Sequence, residues 1–313
     1  MIGINSISSY ICDKKESNFG KIFNNETVAD TFITNKVGIT SVARKNEYET
    51  ASDLCIKVYE SFIKKNKDFD ASLVDCICVC TQNGDYNLPH TSAVVHGMLG
   101  FSSNCAVFDI SLGCSGYVYS LNIMKNFMEA NGLKNGLLFT SDPYSDIIDK
   151  DDKNTSLIFG DGASITYLSE NYIYNIGQIS LFSDGSLYNM LIHEKDKALF
   201  MDGRMIFNFA LENVPNIINN TLLSAEITKD EIDLFILHQA SKYIVDNLVR
   251  RMKLDKTKVP FNIRDYGNTV SSSIPIILEE YICSNKNKIL LCGFGVGLSI
   301  ASLILYKGDK YEI

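Results

Sequence analysis

Three segments of this chain recur in the same order about half a chain later, and this duplication restricts the possible folds more than any single motif does. LVDCICVCTQN, from Leu73, is matched in pattern by EIDLFILHQAS, from Glu231: an acidic residue, an apolar run, then polar residues. CAVFDISLGCSGYVYSLNIMKNFM, from Cys105, is matched by VPFNIRDYGNTVSSSIPIILEEYI, from Val259. NGLLFTSD, from Asn135, is matched by KILLCGFG, from Lys288. The offset is about 150 to 160 residues each time, in a chain of 313. Continuous apolar runs of this length read as strands covered on both faces. Between them lie helical stripes, such as Ala51, Leu54, Cys55, Val58, Tyr59 and Phe62 within Thr50 to Lys65. Strands alternating with helices predict an α/β layered architecture made of two related halves, 1–170 and 171–313. In such a fold the equivalent strand ends meet at the centre.

Candidate chemistry collects at that centre. The run Ala106, Val107, Phe108, Ile110 predicts a buried strand that turns sharply into a helix, with Cys114 at the turn. Free amides and the positive helix end there favour thiolate over thiol. Gly113, Ser115 and Gly116 leave the sulfur uncrowded. His238 directly follows DLFIL and so lies at the carboxyl end of a strand, where α/β sheets place their ligands. Asn268 falls opposite Cys114 in the duplication, each expected at a strand end and helix start. The glycine turn GFGVGLS brings further backbone N–H groups, able to hold an oxyanion, to the same edge. Each feature has a structural use when taken singly: a buried cysteine, a core histidine, an asparagine cap, a tight turn. Convergence is what favours function. His90, His96 and His193 receive no role.

Other features narrow the class. A net charge of −8 argues against nucleic acid as a partner, because phosphate contact needs a basic surface. Nine cysteines without a paired framework point to a reducing, cytoplasmic setting, and MIGINSISSYI lacks the form of a signal peptide. Cys76, Cys78 and Cys80 alternate and share one strand face, which suits buried small hydrophobes better than metal ligands. The uncharged stretch from Ile289 to Tyr306 is broken by Gly293, Gly295 and Gly297, so it reads as two buried strands and not as a membrane span. Asn171 to Lys197 is strand-like but irregular, and Asp202 to Asn220 reads as helical, with Pro215 marking a kink or a second helix.

Taken together, FDISLGCSGYVYSL, FGDGA, LHQAS, YGNTVSSSIP and GFGVGLS resemble the 3-ketoacyl-acyl-carrier-protein synthases III, members of the thiolase-fold condensing enzymes. The resemblance spans nearly the whole chain. It implies a thiolase-like fold, two duplicated α/β halves forming a layered αβαβα core. It also implies an acyl-accepting Cys114 with His238 and Asn268 as partners, and oxyanion amides at Cys114 and Val296. Phe294 would shape the pocket beside the histidine. The implied reaction takes an acyl group from an acyl-CoA or acyl-carrier thioester and condenses it, with decarboxylation, with malonyl-acyl carrier protein. No cofactor or metal is implied, no membrane is involved, and a homodimer is expected, with Leu88 reaching the partner's acyl pocket.

Departures from the family pattern gather at the implied entrance for coenzyme A and the carrier. Phe32 stands where many members have an indole, Lys36 and Lys153 where arginines are usual, and Tyr243 where a carrier-docking arginine is usual. Ser241 replaces a tunnel asparagine, Leu88 an aromatic and Val296 a glycine. Lysine lacks the planar fork of arginine, so donor recognition is expected to differ from that of housekeeping fatty-acid initiation. Two other readings share this sequence. One is a Cys114-dependent acyltransferase that serves a hydroxyl or amine without decarboxylation; the other is an inactive scaffold subunit.

Overall fold

The computed structural model describes residues 1–308. Nine strands form one mixed sheet: β1 (Gly3–Ile11), β2 (Cys76–Cys80), β3 (Ala106–Ile110), β4 (Asn135–Ser141), β5 (Gly162–Ser169), β6 (Tyr174–Ser183), β7 (Leu234–Leu237), β8 (Lys288–Gly295) and β9 (Ser299–Lys307). Their order across the sheet is β7-β8-β9-β6-β1-β5-β4-β2-β3. The first half runs β1-β5-β4-β2-β3, and the second, β6-β9-β8-β7, follows the same order by rank but lacks the third strand. Among the described residues, two residue pairs, Gly3 with Asn175 and Ile4 with Tyr174, sew the half-sheets together.

Six main helices cover the sheet: α1 (Ala51–Lys65), α2 (Thr91–Leu99), α3 (Gly116–Asn131), α4 (Gly203–Ser224), α5 (Lys242–Met252) and α6 (Ser273–Tyr281). The alternation of β2 sorts its side chains between layers. Cys76, Cys78 and Cys80 join a central cluster with Tyr117, Leu121 and Met124 of α3 and Ile274 and Ile277 of α6. Ile77 and Val79 point the other way, into an outer cluster with Leu54, Val58 and Phe62 of α1. In the second half, Phe235, Leu237 and Leu290 face α4 and α5. Three apolar clusters between helix and strand layers make the αβαβα arrangement. Thr50 starts α1 with a reciprocal capping box to Asp53, as its sequence position allows.

Three expectations change. First, Asn268 does not follow a strand. Pro260 has no N–H for a ladder, and the side chain of Gln239 takes over the pairing there. Its Nε2 donates to the Pro260 carbonyl at 3.3 Å and its Oε1 accepts from the Asn262 N–H at 3.3 Å. Asn268 therefore sits in a loop between short 3-10 turns at Ile263–Asp265 and Val270–Ser272. Second, β3 is half-buried and not buried; it lies at one end of the sheet with one edge unpaired. Third, no second helix starts at Pro215, because α4 continues through it for 22 residues. The uncharged stretch does form β8 and β9, and among the described residues no helix is long and apolar enough to cross a membrane.

The loop with Asn268 is held by the FGDGA segment. Asn268 N donates to the Ile158 carbonyl at 2.8 Å, and Gly160 N to the Asn268 carbonyl at 2.9 Å. A Cβ at Gly160 would stand 1.9 Å from the Tyr266 carbonyl oxygen. Gly160→Ala is expected to lower stability by about 3 kcal/mol, toward the upper range for forced overpacking, as measured by urea unfolding. An unchanged midpoint would show that these two segments do not pack so closely.

Candidate active site

One cavity of about 320 Å³ brings together the predicted nucleophile and its partners: Cys114, His238, Asn268, Phe294 and Gly295 all line it. Cys114 lies two residues before the first helical residue of α3 and is 6% exposed. The turn that carries it is closed by Gly116 N donating to the Gly113 carbonyl at 2.8 Å. Space for the sulfur comes from the second half of the chain. A Cβ at Gly295 would lie 2.8 Å from Cys114 Cβ and 3.0 Å from Sγ. Gly113 and Gly116, expected to uncrowd the sulfur, instead make room for Gln82 with Val296 and for Cys80, respectively. Gly295→Ala is expected to slow iodoacetamide alkylation of Cys114 by about tenfold or more, since small displacements of a reacting atom are costly. An unaltered rate would contradict this packing.

The thiol is not poised as the helix N-terminus alone would have it. Burial, and next the Asp142 carboxylate, push its ionisation well above the usual range. The resting group is a neutral thiol.

His238 continues directly from β7, and its N–H donates to the Cys292 carbonyl of β8 at 2.8 Å. Burial lowers its imidazole to about 3, so the ring is neutral at working pH. Nδ1 lies 2.7 Å from Ser273 Oγ, and the ring meets the edge of Phe294 at 5.4 Å between centroids and 87°. Asn268 Nδ2 is 3.4 Å from His238 Nε2. The Asn268 carboxamide is oriented from behind: its Oδ1 accepts the Val270 N–H at 2.8 Å, leaving its NH₂ toward the cavity. Val270 adopts φ 55°, a left-handed conformation rarely taken by a β-branched residue. Among the described residues, the N–H groups of Cys114 and Val296 have no backbone acceptor. Val296 itself is half-buried beside Gly113.

The entrance residues divide into two places. Ser241 and Tyr243 line the cavity, and Ser241 also caps α5 by accepting from Ile244 N. Tyr243 stacks on Phe207 at 5.0 Å and 18°, and Lys36 Nζ lies 3.7 Å from the Tyr243 ring centre. Phe32 and Lys153 border a separate hollow, with Lys153 Nζ 4.3 Å from the Phe32 ring centre. Each lysine thus sits over an aromatic face, a cation–π arrangement. Leu88 is 87% exposed and lies outside the cavity lining of its own chain. Sequence reasoning missed Ser273, Phe207 and Arg204, which surround the same cavity or its histidine. The serine run before Pro275 was the available signal for the first. Nothing local marked the other two.

Known proteins resemble this chain over most of its length. The family profile described as 3-oxoacyl-[acyl-carrier-protein] synthase III matches residues 108–185, and the profile of its C-terminal part matches residues 222–307. A beta-ketoacyl-[acyl-carrier-protein] synthase III of Lactobacillus helveticus is 34% identical, covering 88% of this chain and 90% of the relative. One of Streptococcus agalactiae is also 34% identical, with the same coverage. A crystal structure of a 3-oxoacyl-(acyl-carrier-protein) synthase III superposes with a TM-score of 0.91 at 29% identity, covering 97% of this chain and 99% of that one. The Thermus thermophilus enzyme gives 0.89 at 28%, covering 98% and 99%. Sequence identity, shared fold and the joined Cys114, His238 and Asn268 lead to one conclusion: the chain belongs to the beta-ketoacyl-acyl-carrier-protein synthase III family of thiolase-fold condensing enzymes.

Proposed function

We propose that this protein transfers an acyl group from an acyl-CoA thioester to Cys114 and condenses it with malonyl-acyl carrier protein. Carbon dioxide is lost and a 3-ketoacyl thioester is formed. The observation that carries this reading is the convergence of a neutral imidazole and an oriented carboxamide beside the thiol in one mostly apolar cavity. In the first half-reaction, Cys114 Sγ bonds to the acyl carbon, the thioester C–S bond breaks, and the thiol proton leaves with the departing sulfur. The N–H groups of Cys114 and Val296, which have no backbone acceptor among the described residues, are suited to hold the tetrahedral oxyanion.

In the second half-reaction, the bond to the malonyl carboxylate breaks and its electron pair passes to an enolate. His238 and Asn268 donate to the enolate oxygen. Their 3.4 Å separation is long for a mutual hydrogen bond and fits two donors aimed at one acceptor. This requires the proton on His238 Nε2, with Ser273 Oγ–H donating to Nδ1. The enolate carbon then attacks the acyl carbon and expels the Cys114 sulfur as a thiolate, which takes up one proton from solvent to restore the resting thiol. No step needs a metal or an organic cofactor; acyl-CoA and malonyl-acyl carrier protein are substrates.

Phe32, Lys36, Lys153, Ser241 and Tyr243 form the route for coenzyme A and carrier in this reading, with Phe294 shaping the inner pocket. The open edge of β3 and the exposed Leu88 support a homodimer in which Leu88 enters the partner's pocket. Labelled acetyl-CoA with malonyl-carrier protein is expected to give labelled 3-ketobutyryl-carrier protein and one carbon dioxide per product. Labelled ester or amide formed from alcohol or amine acceptors, without carbon dioxide, would overturn the reading.

A further inference from the structure

The mechanism above leaves unused a fully buried carboxylate, that of Asp142, one residue past the end of β4. Its Oδ1 accepts the Gln82 N–H at 2.7 Å and faces Thr81 Oγ1 at 3.4 Å. Its Oδ2 accepts the Ser271 N–H at 3.3 Å and also the Ser271 hydroxyl. Among the described residues, burial and the neutral donors of Gln82, Ser271 and Thr81 are the leading influences on its ionisation. The ionisable side chains facing it are Cys80, Cys114, Tyr144 and Cys55, and all are pushed toward their neutral forms. An unpaired buried charge is costly, so its neutral donors must be held in place for it to persist.

Those donors come from opposite halves of the chain. Thr81 and Gln82 follow β2, in the half that carries Cys114. Ser271 lies between Asn268 and Ser273, in the loop that orients the carboxamide and meets His238 Nδ1. We propose that Asp142 is a positioning residue: its carboxylate clamps the Asn268–Ser273 loop to the nucleophile's half, fixing Asn268 and, through Ser273, His238 relative to Cys114. This rests on the condensing reaction proposed above.

Asp142→Asn offers one acceptor and one NH₂ where two N–H donors converge, so one half is released. Ser271→Ala removes one bond and keeps the charge. Both variants are compared with wild type in two half-reactions: acetylation of Cys114 by acetyl-CoA, read by mass spectrometry, and carbon dioxide release from malonyl-carrier protein. Carbon dioxide release is expected to fall about 100-fold in Asp142→Asn and about tenfold in Ser271→Ala, while acetylation stays within about threefold. Alkylation of Cys114 by iodoacetamide, which uses no acyl substrate, is expected to move to lower pH in Asp142→Asn only, because a negative charge beside the thiol is gone.

A parallel fall of both half-reactions, or no fall in either, overturns the inference. An unmoved alkylation profile in Asp142→Asn does so too, since the carboxylate is then not beside the thiol. Should Asp142→Asn not fold, the ratio of the two half-reactions in Ser271→Ala decides. If wild type itself releases no carbon dioxide, the functional reading fails separately, and the alkylation profiles of the two variants then decide the role of Asp142.

Discussion

Cys114→Ala is expected to form no acyl adduct and to lower condensation at least about 1,000-fold, because the covalent intermediate has no other acceptor at the site. The substitution should leave the fold intact. Removing one buried sulfur costs about 1 kcal/mol, a small part of the stability of a chain this size. His238 and Asn268 are unaffected, so the variant should still release carbon dioxide from malonyl-carrier protein, now uncoupled from condensation. Mass spectrometry after incubation with acetyl-CoA reads the first outcome and trapped labelled carbon dioxide the second. An adduct of unchanged mass on the alanine variant would place the nucleophile at another residue.

The second large effect concerns the paired donors. Asn268→Ala and His238→Ala are each expected to keep the acetyl adduct on Cys114 but lower carbon dioxide release about 100- to 1,000-fold, the usual loss when one donor to a developing oxyanion is removed. Since burial holds His238 near 3, carbon dioxide release should show no imidazole titration between pH 6 and 7. The same shift affects stability. A histidine whose folded pKa lies below its unfolded 6.5 takes up its proton more readily in the unfolded chain. Its contribution therefore favours the native state above that value and is lost as pH falls from about 6.5 towards 3. Thermal unfolding at pH 7 and pH 5 should show a smaller acid-induced loss in His238→Ala than in wild type. Equal losses would mean the ring is solvated and able to ionise in place.

Much of the fold was legible because apolar pattern and duplication report burial on both faces of a strand. The alternation of Cys76, Cys78 and Cys80 against Ile77 and Val79 maps directly onto two different helix layers. The duplication misled at Val259 to Asn262, where pattern similarity implied a strand but Pro260 and the Gln239 side chain support a loop. Half-burial of β3 was illegible for another reason. Its composition is that of a covered strand, and only its place at the end of the sheet shows that one edge is open.

At the site, Cys114, His238 and Asn268 could be singled out only in combination, through the duplication and the resemblance, since each taken singly has a structural use. Their electrostatics could not. A helix N-terminus in the sequence argues for a thiolate, whereas the three-dimensional surroundings add burial and Asp142, which act the other way. Ser271 and Ser273 lie on adjacent turns that face different partners, the first Asp142 and the second His238. That division depends on φ/ψ choices such as Val270 at 55°, which no residue type at the position announces.

The most direct test isolates the acyl-enzyme. Wild-type protein acetylated on Cys114 is freed of acetyl-CoA and chased with malonyl-carrier protein, an alcohol or an amine, while the mass of the Cys114 peptide is followed. Discharge by malonyl-carrier protein alone, with one carbon dioxide released per acetyl group lost, is the result predicted here. Discharge by the alcohol or amine with no carbon dioxide, or an adduct found on a residue other than Cys114, would contradict it.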